Sequence, residues 1–475
     1  MAIDFTRAVN SIGLQAINRR LIGVVSCACV LLLAAETRSQ QRSTSVALSH
    51  PNIVLIMTDD MGYADLGSYG GKDIKTPVLD RLARDGVRLT DAYANGVLCS
   101  PTRAALISGR YPQRGAIETA LGPEGTRGLA VSGSSLPQLL KNGGYRTGLI
   151  GKWHLGGTVT GGVRNGGPRA HGFDSFFGLM GSHVDYWHHN RGPGSEDLWE
   201  DETKISMDGQ YLTTLITERS IQFVEQSASA GQPFFLDVAY NAPHWPYNRP
   251  DRPSPAPGSG AHVMANAENP PTRADYATML EAVDSGVGRI LQTVTRLGLT
   301  DNTIVIFTND NGGEWLSNGG PLFNRKWTVW EGGIRVPAIV KWPGRIRAGS
   351  VSDQPAITFD WSASILAAAG VPVPASYEGI NVLPILEGRA PKQERTFFWR
   401  SAPNSNRTQQ AVRQGDWKLV VDANHLLLYN LREDIGERHD HTMQKPDIVR
   451  RLRTLVDDWA RSVDADAKAA QEKPR

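Results

Sequence analysis

From Asn52 onward, apolar runs alternate with stretches of helical spacing. Asn52-Ile53-Val54-Leu55-Ile56-Met57 and Thr303-Ile304-Val305-Ile306-Phe307 lack polar alternation, the pattern of strands buried on both faces. Pro233-Phe234-Phe235-Leu236-Asp237-Val238 and the shorter Arg146 to Gly151 read as two more strands. Residues 78 to 86, 134 to 143, Tyr211 to Gln226 and Tyr276 to Leu297 read as helices. Strands alternating with helices predict an α/β fold with a large, mostly parallel sheet flanked by helices. Two long connections, Gly156 to Gly172 and Pro243 to Arg273, read as walls or lids on that scaffold.

After about residue 390 the texture changes. Short strand signals at Thr396 to Arg400, Gln410 to Arg413, Trp417 to Asp422 and Leu426 to Asn430 precede a helix over Asp447 to Ser462. The pattern predicts a main α/β domain over 48–389 and a smaller C-terminal α+β subdomain over 390–475, with a small antiparallel sheet and a terminal helix.

The start of the chain reads differently. Arg19-Arg20 precede an apolar run from Leu21 to Ala35, which ends in small residues before a polar stretch. A basic start, a short apolar core and small residues at its end predict an export signal over 1–37. The run falls short of the ~20 residues of a membrane span, so no stable span is expected in the mature chain. An uncleaved anchor is the alternative reading of the same run.

The 475 residues include 50 basic and 48 acidic ones, a net charge of +2, with no long block of one sign. That balance does not support bulk attraction to nucleic acid or to an anionic membrane, so no nucleic-acid partner is expected. Removing the leader also removes Cys27 and Cys29, which leaves Cys99 as the one cysteine of an exported chain. No internal disulfide is then possible. An exported, periplasmic or secreted, protein without disulfides fits a bacterial source.

Both strongest apolar strands run into acidic residues, Thr58-Asp59-Asp60 and Thr308-Asn309-Asp310-Asn311-Gly312-Gly313. Ligand sites of parallel sheets lie beyond the carboxyl ends of the strands. Three carboxylates and a carboxamide meeting there make an oxygen-rich site suited to a hard divalent cation. Asp and Asn also build ordinary turns, and either segment alone reads that way. Cys99 stands in Cys99-Ser100-Pro101-Thr102-Arg103, where Pro101 suits the first turn of a helix. Cys99 would sit at that helix's N-terminus, with Arg103 one turn on. Lys152 and His154 follow a predicted strand and share a side if the chain stays extended. His244 follows another strand, and Lys326 lies in Asn324-Arg325-Lys326-Trp327, ahead of Glu331 to Arg335. Cations after several elements of one sheet suggest an anion pocket facing the metal.

Six ordered segments carry a resemblance: the first strand with Asp59-Asp60, the Cys99 to Arg103 signature, Gly151-Lys152-Trp153-His154, Pro243-His244, Asp310-Asn311-Gly312-Gly313, and Lys326. Together they resemble the type I sulfatases of the alkaline-phosphatase superfamily, from about Asn52 to the C-terminal helix. Residues 325–333 and 178–189 look most like the arylsulfatase B branch, which includes N-acetylgalactosamine-4-sulfatases.

The resemblance implies conversion of Cys99 to Cα-formylglycine by a formylglycine-generating maturation enzyme. It implies Ca²⁺ held by Asp59, Asp60, Asp310, Asn311 and residue 99. It further implies attack on sulfur by a hydroxyl of the hydrated aldehyde, with Asp310 as its base. Arg103, Lys152 and Lys326 stabilise charge, His244 or Lys326 protonates the leaving oxygen (His244 in preference), and His154 takes a proton in the second step, which eliminates sulfate. The implied substrate is a sulfated saccharide or an aryl sulfate. Tyr186, Trp187, Trp245 and Trp327 are candidate stacking surfaces, and His183, His188 and His189 candidate pocket residues. Two alternatives follow from the same residues: a phosphonate or phosphate monoester hydrolase, and a non-catalytic exported glycan-binding protein.

Overall fold

The computed structural model describes residues 50–122, 127–157, 166–192, 194–254, 270–401 and 408–472. The export signal expected over 1–37 lies outside them. Among the described residues no helix is long and apolar enough to cross a membrane.

The strands in chain order are β1 (Asn52–Thr58), β2 (Val87–Leu89), β3 (Ala92–Tyr93), β4 (Arg146–Lys152), β5 (Ser175–Leu179), β6 (Trp199–Glu200), β7 (Thr203–Lys204) and β8 (Phe234–Ala239). They continue with β9 (Thr303–Asn309), β10 (Ala338–Lys341), β11 (Ser350–Ser352), β12 (Ala356–Ile357), β13 (Thr396–Ser401), β14 (Gln409–Gln414), β15 (Trp417–Asp422) and β16 (His425–Asn430). One sheet has the order β11-β2-β10-β9-β1-β8-β4-β5-β6-β7. Its centre, β9-β1-β8-β4-β5, is parallel throughout. β10 enters antiparallel between β9 and β2, and β6 and β7 close the other edge as antiparallel strands.

The unbroken apolar runs follow from this position. Ile53, Leu55 and Met57 of β1 face one core, while Val54 and Ile56 face the other. β9 divides in the same way, Ile304 and Ile306 against Val305 and Phe307. Helices cover both faces, so a polar residue on either side would be stranded away from water. The helix Arg273–Arg296 begins three residues before the expected Tyr276, because Thr272 and Asp275 close a reciprocal capping box.

β13 to β16 form a separate four-stranded antiparallel meander, β13-β14-β15-β16. The last helix, Pro446–Glu472, packs on it and runs well past the expected Ser462. This third core also takes in Leu98, Ala105, Val329, Trp330 and Ile334. The meander therefore backs the helix Cys99–Ser108 and the loop that follows Lys326. Every residue from Cys99 to Ile107 is buried, and the helix ends at Gly109, whose φ of 67° closes a bond of 2.8 Å to the Ala105 carbonyl. The helix Thr358–Ala368, which the sequence pattern did not suggest, lies against it, with Ser362 Oγ donating to the Leu106 carbonyl at 2.6 Å.

Candidate active site

β1 and β9 are neighbours in register, Thr58 opposite Asn309, so Asp59-Asp60 and Asp310-Asn311 leave the sheet side by side. Thr58 Oγ1 donates to Asn309 Oδ1 at 2.7 Å, and Asn309 Nδ2 donates to the Met61 carbonyl at 2.9 Å. Asp310 N–H reaches the Thr58 carbonyl at 3.2 Å. Asn311 Nδ2 donates to Asp60 Oδ1 at 2.7 Å. Gly312 is required here by contact: a Cβ on it would lie 1.9 Å from the Gly332 carbonyl oxygen, and its N–H bonds the Gly333 carbonyl at 2.9 Å. The loop after β9 is thereby clamped to the loop that follows Lys326.

Cys99 opens its helix, and its Sγ donates to Asp59 Oδ1 at 3.2 Å. One turn on, Arg103 donates to Asp310 Oδ2 through Nη2 at 2.8 Å and Nε at 3.2 Å, and through Nη1 to the Lys152 carbonyl at 3.0 Å. Lys152, at the end of β4, donates to Asp59. Lys326 Nζ lies 2.6 and 2.7 Å from the two oxygens of Asp60. His244 Nε2 lies 3.4 Å from Asp60 Oδ2, and its Nδ1 donates to the Trp245 carbonyl at 2.5 Å. A carbonyl only accepts, so the neutral ring carries its proton on Nδ1 and presents a lone pair at Nε2. The peptides Ala242–Pro243 and Trp245–Pro246 on either side of His244 are cis.

Lys152 and His154 do meet at the site, but not by extension of the strand. β4 stops at Lys152, and His154 has a φ of 56°, a left-handed residue that turns the chain. Met180 and Ser100 hold the turn: the His154 N–H bonds the Met180 carbonyl at 3.2 Å, and Ser100 Oγ donates to the His154 carbonyl at 2.7 Å. Neither ring nitrogen of the buried His154 has a hydrogen-bond partner. Burial, followed by the charge on Lys152, pushes its pKa well below the usual range, so the ring is neutral and able to take a proton.

The other charges sort by the same forces. Burial pushes the Cys99 thiol well up, and Asp59 adds to it, so the unmodified thiol is not an activated thiolate. Burial also raises Asp59, but the cations Lys152, Arg103 and Lys326 outweigh it and hold this carboxyl well below the usual range. Asp310 goes the other way, to about 7, through burial and the neighbouring Asp59. Lys326 is buried, yet Asp60 keeps it firmly protonated.

Asp59, Asp60, Cys99 and His244 offer ligand atoms that all lie within 4.8 Å of one another. With Asp310 and Asn311 beside them, the donors are mainly carboxylate and amide oxygens, the set a hard divalent cation takes. Asn311 Oδ1 is buried without a partner, as expected of an oxygen reserved for an ion. The residues fit such a cation. The three carboxylates are balanced by Arg103, Lys152 and Lys326. A divalent ion would leave the centre two charges positive, ready for an anion.

Other residues singled out in the sequence have structural partners instead. Arg335 pairs with Glu331 and Asp91. His188 pairs with Asp208, and His189 bonds the Gln210 carbonyl. His183 does reach the rim, stacked parallel to His244 at 6.0 Å. Sequence reasoning missed Ser100 as the link between residue 99 and His154. It also missed Glu314 and Tyr247, which border Asp60 and Lys326. Glu314 stood within reach, three residues past Asn311, whereas no sequence signal placed Tyr247 there.

A parallel sheet with a buried carboxylate cluster, three cations and two histidines at its carboxyl edge defines a metal-and-anion centre of the kind that hydrolyses tetrahedral oxyanion esters. The sulfatase family model matches residues 51–371, and the C-terminal model of N-sulphoglucosamine sulphohydrolase matches residues 320–460. Human N-acetylgalactosamine-6-sulfatase is 35% identical over 376 residues, 74% of this chain and 68% of that protein. Human arylsulfatase A is 35% identical over 401 residues, 78% of this chain and 74% of that protein. The crystal structure of Ps i-CgsB in complex with k-i-k-neocarrahexaose is 30% identical, covers 86% of this chain and 93% of that one, and superposes with a TM-score of 0.77. The chain belongs to the sulfatase family and is a sulfuric ester hydrolase.

Proposed function

We propose that the protein hydrolyses sulfate monoesters of a sulfated saccharide, using residue 99, converted from cysteine to Cα-formylglycine, and a bound Ca²⁺. The observation that carries the reading is Cys99 itself. It lies at a helix N-terminus, 3.2 Å from Asp59 Oδ1, among three carboxylates and three cations, with its thiol pushed up rather than activated. The sulfated-sugar names of the relatives and the neocarrahexaose bound by Ps i-CgsB support a saccharide substrate.

Asp59, Asp60, Asp310 and Asn311 would hold the calcium. When bound, the ion would neutralise charge on the sulfate oxygens, and the modified residue would supply a hydrated aldehyde in place of the thiol. Arg103, Lys152 and Lys326 orient the sulfate group and stabilise the charge that builds on it. His244 is neutral at rest. It takes up a proton from solvent at Nε2 as the ester's negative charge enters beside it and passes that proton to the leaving oxygen. His154, with both nitrogens free, takes a proton from position 99 as sulfate departs. Export through residues 1–37, maturation by a formylglycine-generating enzyme and a subdomain boundary near residue 390 complete the proposal.

The test is mass spectrometry of the peptide containing residue 99, from protein made alongside an active maturation enzyme. An aldehyde or its hydrate, together with sulfate release from sulfated saccharides, is the expected result. An intact thiol, with a control substrate of the maturation enzyme fully converted, would overturn the mechanism and favour the glycan-binding reading.

A further inference from the structure

Of the four aromatic side chains that the sequence offers for stacking, three are committed to the fold. Tyr186 is fully buried, with its hydroxyl 2.9 and 2.8 Å from the carbonyls of Asn241 and His244. The Trp187 indole donates to the Arg249 carbonyl at 3.0 Å, and Trp245 packs on His183 at 4.0 Å between ring centres. Trp327 differs. It is 45% exposed, and its φ of 78° puts a bulky residue in the left-handed region. Such strain in an exposed residue is characteristic of ligand clamps. Its pose is set from three sides. The backbone N–H bonds the Val97 carbonyl at 3.0 Å, the side chain lies beside the Glu314 carboxylate, and the ring lies 6.0 Å from Lys326 Nζ.

Two neighbours supply polar groups. Glu314 is fixed to the metal-binding loop, since its N–H bonds the Asp60 carbonyl at 3.4 Å and the Lys326 N–H bonds the adjoining Gly313 carbonyl at 3.1 Å. Tyr247 is 6% exposed, its hydroxyl is buried with no hydrogen-bond partner, and it lies in the field of Asp60, Glu314, Lys326 and Arg325. A buried hydroxyl without a partner, beside a catalytic centre, is a group kept for a ligand.

We propose that Trp327, Glu314 and Tyr247 form the subsite for the pyranose ring that bears the sulfate ester. The indole lies against a C–H face of the ring, Glu314 accepts a hydrogen bond from one sugar hydroxyl, and the Tyr247 hydroxyl bonds another. The proposal rests on the sulfatase reading above and adds to it the residues that select a sugar over a ring-free ester.

The test compares Trp327→Ala, Trp327→Phe and Glu314→Gln with the parent enzyme. The probes are methyl sulfate and oligosaccharides of chondroitin sulfate, dermatan sulfate, heparan sulfate and carrageenan, with sulfate release as the readout. Trp327→Ala should lower kcat/KM on the saccharide the parent hydrolyses at least tenfold more than on methyl sulfate, mainly through KM, with Trp327→Phe restoring most of the loss. Glu314→Gln, a near-isosteric change at a half-buried position that tests the same subsite should the alanine variant fold poorly, should raise KM for the saccharide at least threefold. Equal losses on both probes, or an unchanged saccharide KM in Glu314→Gln, would overturn the subsite while leaving the sulfatase reading intact. A converted residue 99 with no release from any ester would remove both.

Discussion

Lys418→Met should destabilise the protein and loosen the loop that carries Lys326. Lys418 lies on β15 with no exposed side-chain surface, and its Nζ is 2.8 Å from both Glu331 Oε1 and Glu437 Oε1. Glu331 Oε2 also accepts from Arg335 Nε at 2.6 Å and Tyr93 at 2.7 Å, and its backbone N–H bonds Glu437 Oε2 at 2.7 Å. These contacts hold the start of the short helix Glu331–Ile334, whose Gly333 carbonyl receives the Gly312 N–H. Removing one partner of a buried ionic group costs about 3–5 kcal/mol. With an unfolding entropy of about 2.1 cal/mol/K per residue over roughly 400 residues, that lowers Tm by about 4–6 °C. The sign with pH is fixed by Glu437. Burial raises it from 4.5 to about 7, so its contribution is complete below about 4.5 and lost as pH rises through 7. Glu331, which Lys418 and Arg335 hold at about 2 against the effect of burial, contributes above 4.5 and loses this only on strong acidification. Of Lys418's two carboxylate partners, only Glu437 titrates between about pH 5.5 and pH 8.5, and without Lys418 it protonates more readily. The deficit in Tm should therefore be smaller at pH 5.5 than at pH 8.5. Thermal melts at one scan rate, paired with sulfate release, measure it. A shift under 1 °C at pH 8.5, or a deficit that grows on acidification, would refute the reasoning.

Ser100→Ala removes the hydroxyl that bonds the His154 carbonyl and receives the Leu121 N–H at 3.0 Å. It should cost about 1 kcal/mol of stability and lower kcat about tenfold with little change in KM. Unchanged turnover would show that His154 needs no such tether. Chelation should abolish activity and Ca²⁺ should restore it, while Asp60→Asn should raise the Ca²⁺ concentration for half-restoration at least tenfold in a calorimetric titration. Asp284 accepts the Val78 and Leu79 N–H groups at the start of the helix Pro77–Asp85, and burial raises it to about 6. Its contribution to stability is complete below about pH 4 and is lost as pH rises through 6, so Asp284→Asn should flatten the dependence of Tm on pH across that window. An identical slope in parent and variant would count against it.

Parallel strands buried on both faces must be apolar throughout, so β1 and β9 announced themselves, together with the carboxylates that follow them. The helix at Cys99 was legible from Pro101, and the meander of β13 to β16 from its succession of short strand signals. Short, local rules act at these places, and they survive folding. The contacts that turn these residues into a site are not local. His154 enters the site through a left-handed turn held by Met180 and Ser100, not through the extended strand that its spacing suggests. Arg335 carries the same charge as Lys326 a few residues earlier, yet it faces Asp91 and Glu331 rather than the anion centre. Glu314 and Tyr247 were brought together only when loops far apart in sequence closed around Asp60. Periodicity records which side of an element is dry. The pairing of one charge with another across the molecule depends on how elements distant in sequence pack, and nothing in the local pattern encodes it.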